Sequence, residues 1–586
     1  MIRLPAFESA GGEFAVKKQN ICLSIFIALL LAACSQSEPP ADDPVAAATV
    51  EEGAGNTAAE HAASQISGEF IRKIVKEIAD DRYEGRGPGS RGDEAARKYL
   101  AAELEALGLE PGGEDGSWEQ PFELVSVDSD QPDTWTFSLG DSGLTFRQWD
   151  DFIVNSGIQA DRAEFENAEV VFVGYGIQAP EFDWDDFKGH DLNGKVLLIM
   201  NNDPEWDPDL FGGETRLWYG RWDYKYQKAA AMGAVGAIII HTTPSAGYPF
   251  QVLQTSGTGP QFELPSGDEP RSQITAWMVE DAARKLVALA GHDLDALREA
   301  ADNRDFEPVP LGITTSIGMD VDIVRTKSAN VLGLIPGSDA ELKDEVVIYT
   351  AHHDHLGIGK PNDEGDAIYN GAYDNASGVG VVMAIGQGMK ALPEAPRRSV
   401  LIALVGAEEQ GLLGSEYYAK NPTFPSGKIA ANINYDGGNI WGHTHDVTFV
   451  GLGKSTLDQL VQMISEEQGR EVKPDQFPSR GYFYRSDQFS FAKIGVPAVY
   501  LDPGMDFVDR PQGWGKAQID HFTEVNYHQP SDEYDDSWNF DGAVVDAQLG
   551  FWTGLAIANA DEMPTWNAGD EFEAARLEAL AEGEQD

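Results

Sequence analysis

Apolar positions along this chain follow two periodicities, and their alternation lays out the fold. Val346-Val-Ile-Tyr-Thr350, Ser399-Val-Leu-Ile-Ala-Leu-Val405 and Ile429-Ala-Ala-Asn-Ile-Asn-Tyr435 are apolar runs of strand length. Shorter runs at 330–335, 447–450 and 497–501 read the same way. Segments of helical spacing, 377–389, 456–467 and 541–558, lie between them. Strand alternating with helix from Ser328 onward predicts a mainly parallel α/β sheet, with ligands at its carboxyl edge.

The earlier part of the chain is organised differently. Ala96, Tyr99, Leu100, Leu104 and Leu107 mark one helix face, with Asp93 as expected N-cap and Gly108 just past the end. The Gly-rich stretch Glu84 to Gly92 has neither a preceding strand nor a Lys-Ser/Thr ending, so it is expected to be a turn rather than a phosphate cradle. Between about 140 and 325, strands are predicted at 169–176, 194–200 and 236–240, with a helix over 225–232. No loop in that region converges His, Asp and Glu, and His190 and His241 are expected to be solvated or core residues.

The first apolar segment, Ile21 to Ala33, follows Lys17-Lys18 and is short for a bilayer span. Leu31-Ala-Ala-Cys34 resembles a bacterial lipobox. That resemblance implies cleavage before Cys34, a lipid on it, and, with Ser35 following, the periplasmic face of a Gram-negative outer membrane. Residues 35–66 hold few large apolar groups and are expected to form a tether, and the acidic tail from Asn567 is expected to fray.

Composition narrows the function. The chain has 586 residues, 97 acidic against 42 basic, and a formal net charge of −55. Such a surface repels phosphate backbones and excludes nucleic acid as a partner class. Both cysteines, Cys22 and Cys34, fall in or beside the first apolar segment, so no internal disulfide is expected.

Candidate chemistry collects at the ends of the predicted strands. His352 and Asp354 follow the first run, Asp374 lies in Asn370-Gly-Ala-Tyr-Asp-Asn-Ala-Ser-Gly378, and Glu408-Glu409 follow the second run. Asp436 follows the third, and His528 comes far downstream. Each alone has an ordinary structural explanation. Together they predict a metal site at the rim of the sheet.

The stretches AHHDHLG, NGAYDNASG, GAEEQGLLGS, NINYDGG and YHQPSDEYD resemble the dinuclear zinc aminopeptidase family that includes aminopeptidase S, aminopeptidase Y and glutamate carboxypeptidase II. GYGI, GKVLLI and KAAAMGAVGAIII resemble the protease-associated domain that some members carry as an insert. The resemblance implies a phosphorylase/hydrolase-like α/β fold, two Zn²⁺ and peptide substrates. His352 would bind one zinc, with Asp354 holding its other ring N–H. Asp374 would bridge, Glu409 and Asp436 would be terminal ligands, and His528 would complete the second site. Glu408 would be the general base. Tyr482 and Tyr484 are both candidates for supporting the oxyanion. His353 and His355 are expected to be non-ligands. Ser486-Asp487-Gln488 departs from the family's Ser-Asp-His.

The expected organisation is a signal peptide over 1–33, a tether over 34–66, the start of the peptidase domain over 67–139, an insert over 140–325, the zinc peptidase domain over 326–562 and a tail over 563–586. The expected activity is release of N-terminal amino acids. The rivals are a carboxypeptidase or dipeptidase of the same family, a metal-free receptor on the same fold, and a single-zinc cyclase.

Overall fold

The computed structural model describes residues 54–207, 210–362 and 364–583. The signal peptide, Cys34 and most of the expected tether lie outside them. Among the described residues no helix is long and apolar enough to cross a membrane.

The centre is a mixed sheet with four parallel strands, in the order Ser399–Val405, Val346–His352, Ile429–Asn434 and Ala498–Pro503. Every residue of the first three is buried. Strands covered on both faces are mostly apolar on each, which is why they appear as near-continuous runs, and the buried Thr350, Asn432 and Asn434 among them are hydrogen-bonded to one another. Alternate side chains serve opposite faces. Val347, Tyr349 and Ala351 join one large core with helices Gly378–Lys390 and Asp541–Asn559. Val346 and Ile348 join a smaller one with Tyr418 and Phe491.

Helix Asp541–Asn559 lies close to the sheet because it carries glycine where tyrosines reach up. Tyr349 Oη donates to the Gly550 carbonyl and Tyr435 Oη to the Asp546 carbonyl, each at 2.9 Å. A Cβ at Gly554 would collide with the Tyr349 hydroxyl.

Strand Val309–Ile335 runs through both halves of the molecule. Its first part pairs with Arg162–Phe172, its middle with Glu119–Ser129, and its end with Ser399–Val405. Around the first part, strands Thr134–Leu139, Phe152–Ser156, Val196–Met200, Gly236–His241 and Ile274–Val279 enclose a separate core that includes Trp135, Phe137, Phe172 and Ile238. The predicted helix over 225–232 is Trp222–Ala231. This second lobe starts near Thr134, ahead of the expected 140, because Trp135 and Phe137 are part of its core.

Three local expectations change. Helix Ala54–Ala63 occupies part of the expected tether, with Ala62 and Ala63 buried in the main core. The N-cap of helix Arg91–Ala106 is Ser90, whose side chain accepts from Asp93 N. Asp93 instead sits in the first turn, buried, accepting from Gly89 N at 2.9 Å and Ser328 Oγ at 3.0 Å. The acidic tail forms helix Glu573–Gly583, because Phe572 and Ala579 are buried and Arg576 donates to the Ile429 carbonyl at 3.0 Å.

Gly554→Ala is expected to overpack the helix–sheet contact and break the Tyr349 hydrogen bond. The cost should be about 1–3 kcal/mol. A lower urea midpoint at unchanged slope would show it.

Candidate metal centre

His352 ends its strand, and Asp354 and His355 follow at the carboxyl edge of the parallel strands. After Val405 the chain turns through Ala407, whose φ is 58°, so that Glu408 and Glu409 face the same edge. Asp436 follows Ile429–Asn434, and Asp374 lies in the turn before helix Gly378–Lys390. Asn375 ties two of these turns together. Its Oδ1 accepts from Gly437 N at 2.8 Å and its Nδ2 donates to the Tyr435 carbonyl at 3.0 Å. Asp532 holds the Asp374 turn from beneath, accepting from Tyr373 N at 2.9 Å and Asp374 N at 3.1 Å.

The side chains converge. His352 Nε2 lies 3.1 Å from Asp436 Oδ1 and 3.2 Å from Asp374 Oδ1. His528 Nε2 lies 3.0 Å from Glu409 Oε2 and 3.4 Å from Asp374 Oδ2. The two oxygens of Asp374 therefore face two different imidazoles. Glu408 stands 3.8 Å from His352 Nε2, outside hydrogen-bond range.

The charges are strongly interdependent. Burial alone would discharge His352 and His528, but neighbouring carboxylates dominate. Glu408 and Asp436 raise His352 well above the usual imidazole range. Glu409 and Asp374 raise His528 to about 10. Burial likewise opposes ionisation of Asp374, yet hydrogen bonds to His352 and His528 hold it well below the carboxylate range. Glu409 is held at about 2 against burial, by His528 and His355. Glu408 goes the other way, pushed well up by burial.

The donor set fits a dication. His352, Asp374 and Asp436 offer ligand atoms within 4.8 Å of one another, as do His355, Asp374 and Glu409. His355 Nε2 is buried with no hydrogen-bond partner. Imidazole nitrogens with carboxylate oxygens are ordinary zinc ligands.

One expected contact differs. The Asp354 carboxylate does not hold the His352 ring: Oδ1 is 3.8 Å from Nδ1, which faces the Asp354 carbonyl at 3.3 Å. It accepts instead from Glu408 N at 3.0 Å and Glu409 N at 3.4 Å, which the turn at Ala407 aims toward it. His355 joins the cluster, with Nδ1 2.6 Å from Glu409 Oε1. Tyr484 is committed elsewhere, donating to Glu571 Oε1 at 2.6 Å, and the Tyr482 hydroxyl accepts from Arg480 Nη1 at 3.0 Å.

Sequence reasoning missed Tyr527, which stacks on His528 at 3.8 Å between ring centroids and stays 40% exposed. It also missed Asp532. Both sit within the YHQPSDEYD stretch already singled out. Gln488, where the family has His, accepts from Asn434 Nδ2 at 2.8 Å and donates to the Phe483 carbonyl at 2.7 Å. His353 bonds the Ala329 carbonyl at 3.0 Å, away from the cluster. In the second lobe His241 bonds the Tyr248 carbonyl at 3.1 Å, and His190 faces Glu307 at 3.7 Å. That lobe meets the sheet domain through Arg216 N, which donates to the Pro478 carbonyl at 3.2 Å, and through Trp218, 6.2 Å from the Phe489 ring.

Residues 330–551 match peptidase family M28. Leupeptin-inactivating enzyme 1 of Streptomyces exfoliatus is 24% identical over 305 residues, 51% of this chain and 63% of that protein. Aminopeptidase NAALADL1 of Mus musculus is 31% identical over 154 residues, 24% of this chain and 19% of that protein. The chain thus spans less than two thirds of either relative. Among solved structures, an aminopeptidase from Aneurinibacillus sp. strain AM-1 aligns with 85% of this chain and 95% of its own, at 18% identity and a TM-score of 0.48. A peptidase M28 precursor from Shewanella amazonensis SB2B aligns with 87% and 98%, at 19% identity and a TM-score of 0.42. The ligand-bearing turns of the sheet domain thus lie inside the stretch, residues 330–551, that matches peptidase family M28.

Proposed function

We propose that the protein is a dinuclear zinc aminopeptidase. The observation that carries this reading is the Asp374 carboxylate, with Oδ1 toward His352 and Oδ2 toward His528. His352 and Asp436 would hold one zinc, Glu409 and His528 the other, and Asp374 both. Zinc bound there would polarise a scissile carbonyl and lower the pKa of water from about 15.7 toward about 7.

The chain's own groups supply the rest. Glu408 is near the ligands but bonded to none of them, so its carboxylate is free to take a proton from water and return it to the leaving amine. Asp354 fixes the backbone of Glu408 and Glu409, and so fixes where that carboxylate stands. His355 steadies Glu409. Tyr527, stacked on His528, joins Tyr482 as a candidate donor for the carbonyl oxygen. The second lobe serves as a protease-associated lid that narrows access from the Arg216–Trp218 side. Aminoacyl peptides should be cleaved and their N-blocked counterparts spared.

Glu408→Gln keeps size and hydrogen bonding and removes the basic oxygen. It should retain zinc while kcat falls about 10²–10⁴-fold. Glu409→Gln should lose affinity for one zinc, with activity partly restored by excess metal. Glu408→Gln with zinc bound and near-normal kcat would end the general-base assignment.

Metal analysis of the purified chain should give two zinc ions at saturation, and Asp374→Ala should disturb both. One ion at saturation would refute the dinuclear assignment.

The chain is further proposed to be exported and lipid-anchored at Cys34, on the strength of Lys17-Lys18, the short apolar segment and Leu31-Ala-Ala-Cys34. Mass spectrometry of membrane-extracted protein should find a diacylglyceryl-modified Cys34 at the mature N-terminus. An unmodified N-terminus elsewhere would exclude it.

A further inference from the structure

The turn Glu84-Gly-Arg-Gly-Pro-Gly-Ser-Arg-Gly92 lies outside the stretch that matches the family, yet it reaches under the metal centre. Arg86 is completely buried. Its guanidinium spends its donors on four main-chain carbonyls and on no carboxylate. Nε donates to His353 O at 2.7 Å, and Nη1 to Ile78 O at 2.7 Å and Asn370 O at 2.6 Å. Nη2 donates to Gly371 O at 2.9 Å. The His353 carbonyl lies between His352 and Asp354. The Asn370 and Gly371 carbonyls open the turn that presents Asp374. One planar group therefore joins the backbone of the first imidazole to the backbone of the shared carboxylate.

The surroundings are built for this insertion. A Cβ at Gly85 would lie 2.5 Å from the Gly357 and Tyr369 carbonyls, and one at Gly87 would lie 3.0 Å from Gly357 Cα. Only glycine on both sides lets the Arg86 backbone come so close. Arg86 itself has a φ of 50°, a left-handed conformation that a non-glycine residue keeps only where its neighbours enforce it. Asn370 is held from the same segment, donating to Ala79 O at 2.8 Å and Asp81 Oδ1 at 2.9 Å. Burial pushes the guanidinium down to about 10, with Asp354, Asp532, Asp374 and Glu409 acting the other way. It still carries its charge at neutral pH.

We infer that Arg86 is a positioning residue of the metal centre, a clamp that sets the distance between the His352–Asp354 turn and the Asp374 turn before metal arrives. The inference rests on the metal reading of the site. Lysine keeps the charge, but a single ammonium cannot span four carbonyls arranged for a planar fork.

The test is zinc affinity, measured by competition with a chromogenic chelator well below the melting temperature, on the full chain. Arg86→Lys and Arg86→Met should each weaken zinc binding about 10–100-fold, the usual effect of removing a group that orients metal ligands. The rise in Tm on adding zinc should shrink in both. Arg576→Lys is the control. Arg576 is also buried and bonded to main-chain carbonyls, but in the tail, so this variant should lower Tm and leave zinc affinity unchanged. Should Arg86→Met fail to fold, Arg86→Lys carries the test alone. Wild-type zinc affinity in Arg86→Lys would overturn the clamp, as would an equal loss in Arg576→Lys. A wild-type chain that binds no zinc would remove the metal reading and this inference with it.

Discussion

Like charges held close inside a protein are the constraint on which this structure turns. Asp354, Asp374, Glu408, Glu409, Asp436, Asp487 and Asp532 all act on one another or on the same few imidazoles. Two unit charges 4 Å apart interact by about 4 kcal/mol at an effective dielectric constant of 20. A few such repulsions would consume the roughly 5–15 kcal/mol by which a domain is stable. The fold contains them with charge and hydrogen bonds. Neighbouring carboxylates favour the charged forms of His352 and His528, and Asp354 and Asp532 accept backbone N–H groups. Asp487 is pushed up to about 7 by burial. A bound dication is the remaining compensation that such a set invites.

The parallel sheet makes that concentration possible. Three strands end side by side, and each delivers its acidic or imidazole residue to one edge, His352 from the last strand position and Glu408 and Asp436 from the turns just beyond. Holding the turns beyond the strand ends then falls to side chains that bond backbone. Asn375 joins the Asp374 and Asp436 turns, Asp354 caps the Glu408–Glu409 turn, and Arg86 joins the His352 and Asp374 turns. These groups bond backbone and so fix where the neighbouring imidazoles and carboxylates stand.

The second lobe is tied to the sheet domain by a shared strand. Strand Val309–Ile335 is shared by both sheets, so the lobe is not on a loose linker. Leu217 and Trp218 pack against the cluster that includes Phe483 and Phe489, the segment around Asp487 and Gln488. The C-terminal tail reaches the same segment from the other side, through Glu571 on Tyr484 and Lys454 on Asp570 at 2.8 Å. That contact commits the Tyr484 hydroxyl to Glu571.

By itself the sequence determined the elements that depend on burial on both faces, and the ligand-type residues at their ends. Strands such as Val346–His352 must be mostly apolar, and a residue just past a buried strand can only be at a sheet edge, so both were legible from one dimension. The sequence could not show which atom each residue points at. Asp354 two residues after His352 allows a bond to the imidazole, and only the left-handed turn at Ala407 sends its carboxylate to the Glu408 and Glu409 amides instead. Arg86 was hidden for the same reason. A glycine-flanked arginine in a turn carries no local signal, because the four carbonyls it binds come from segments 8 to 285 residues away and meet only in the folded chain.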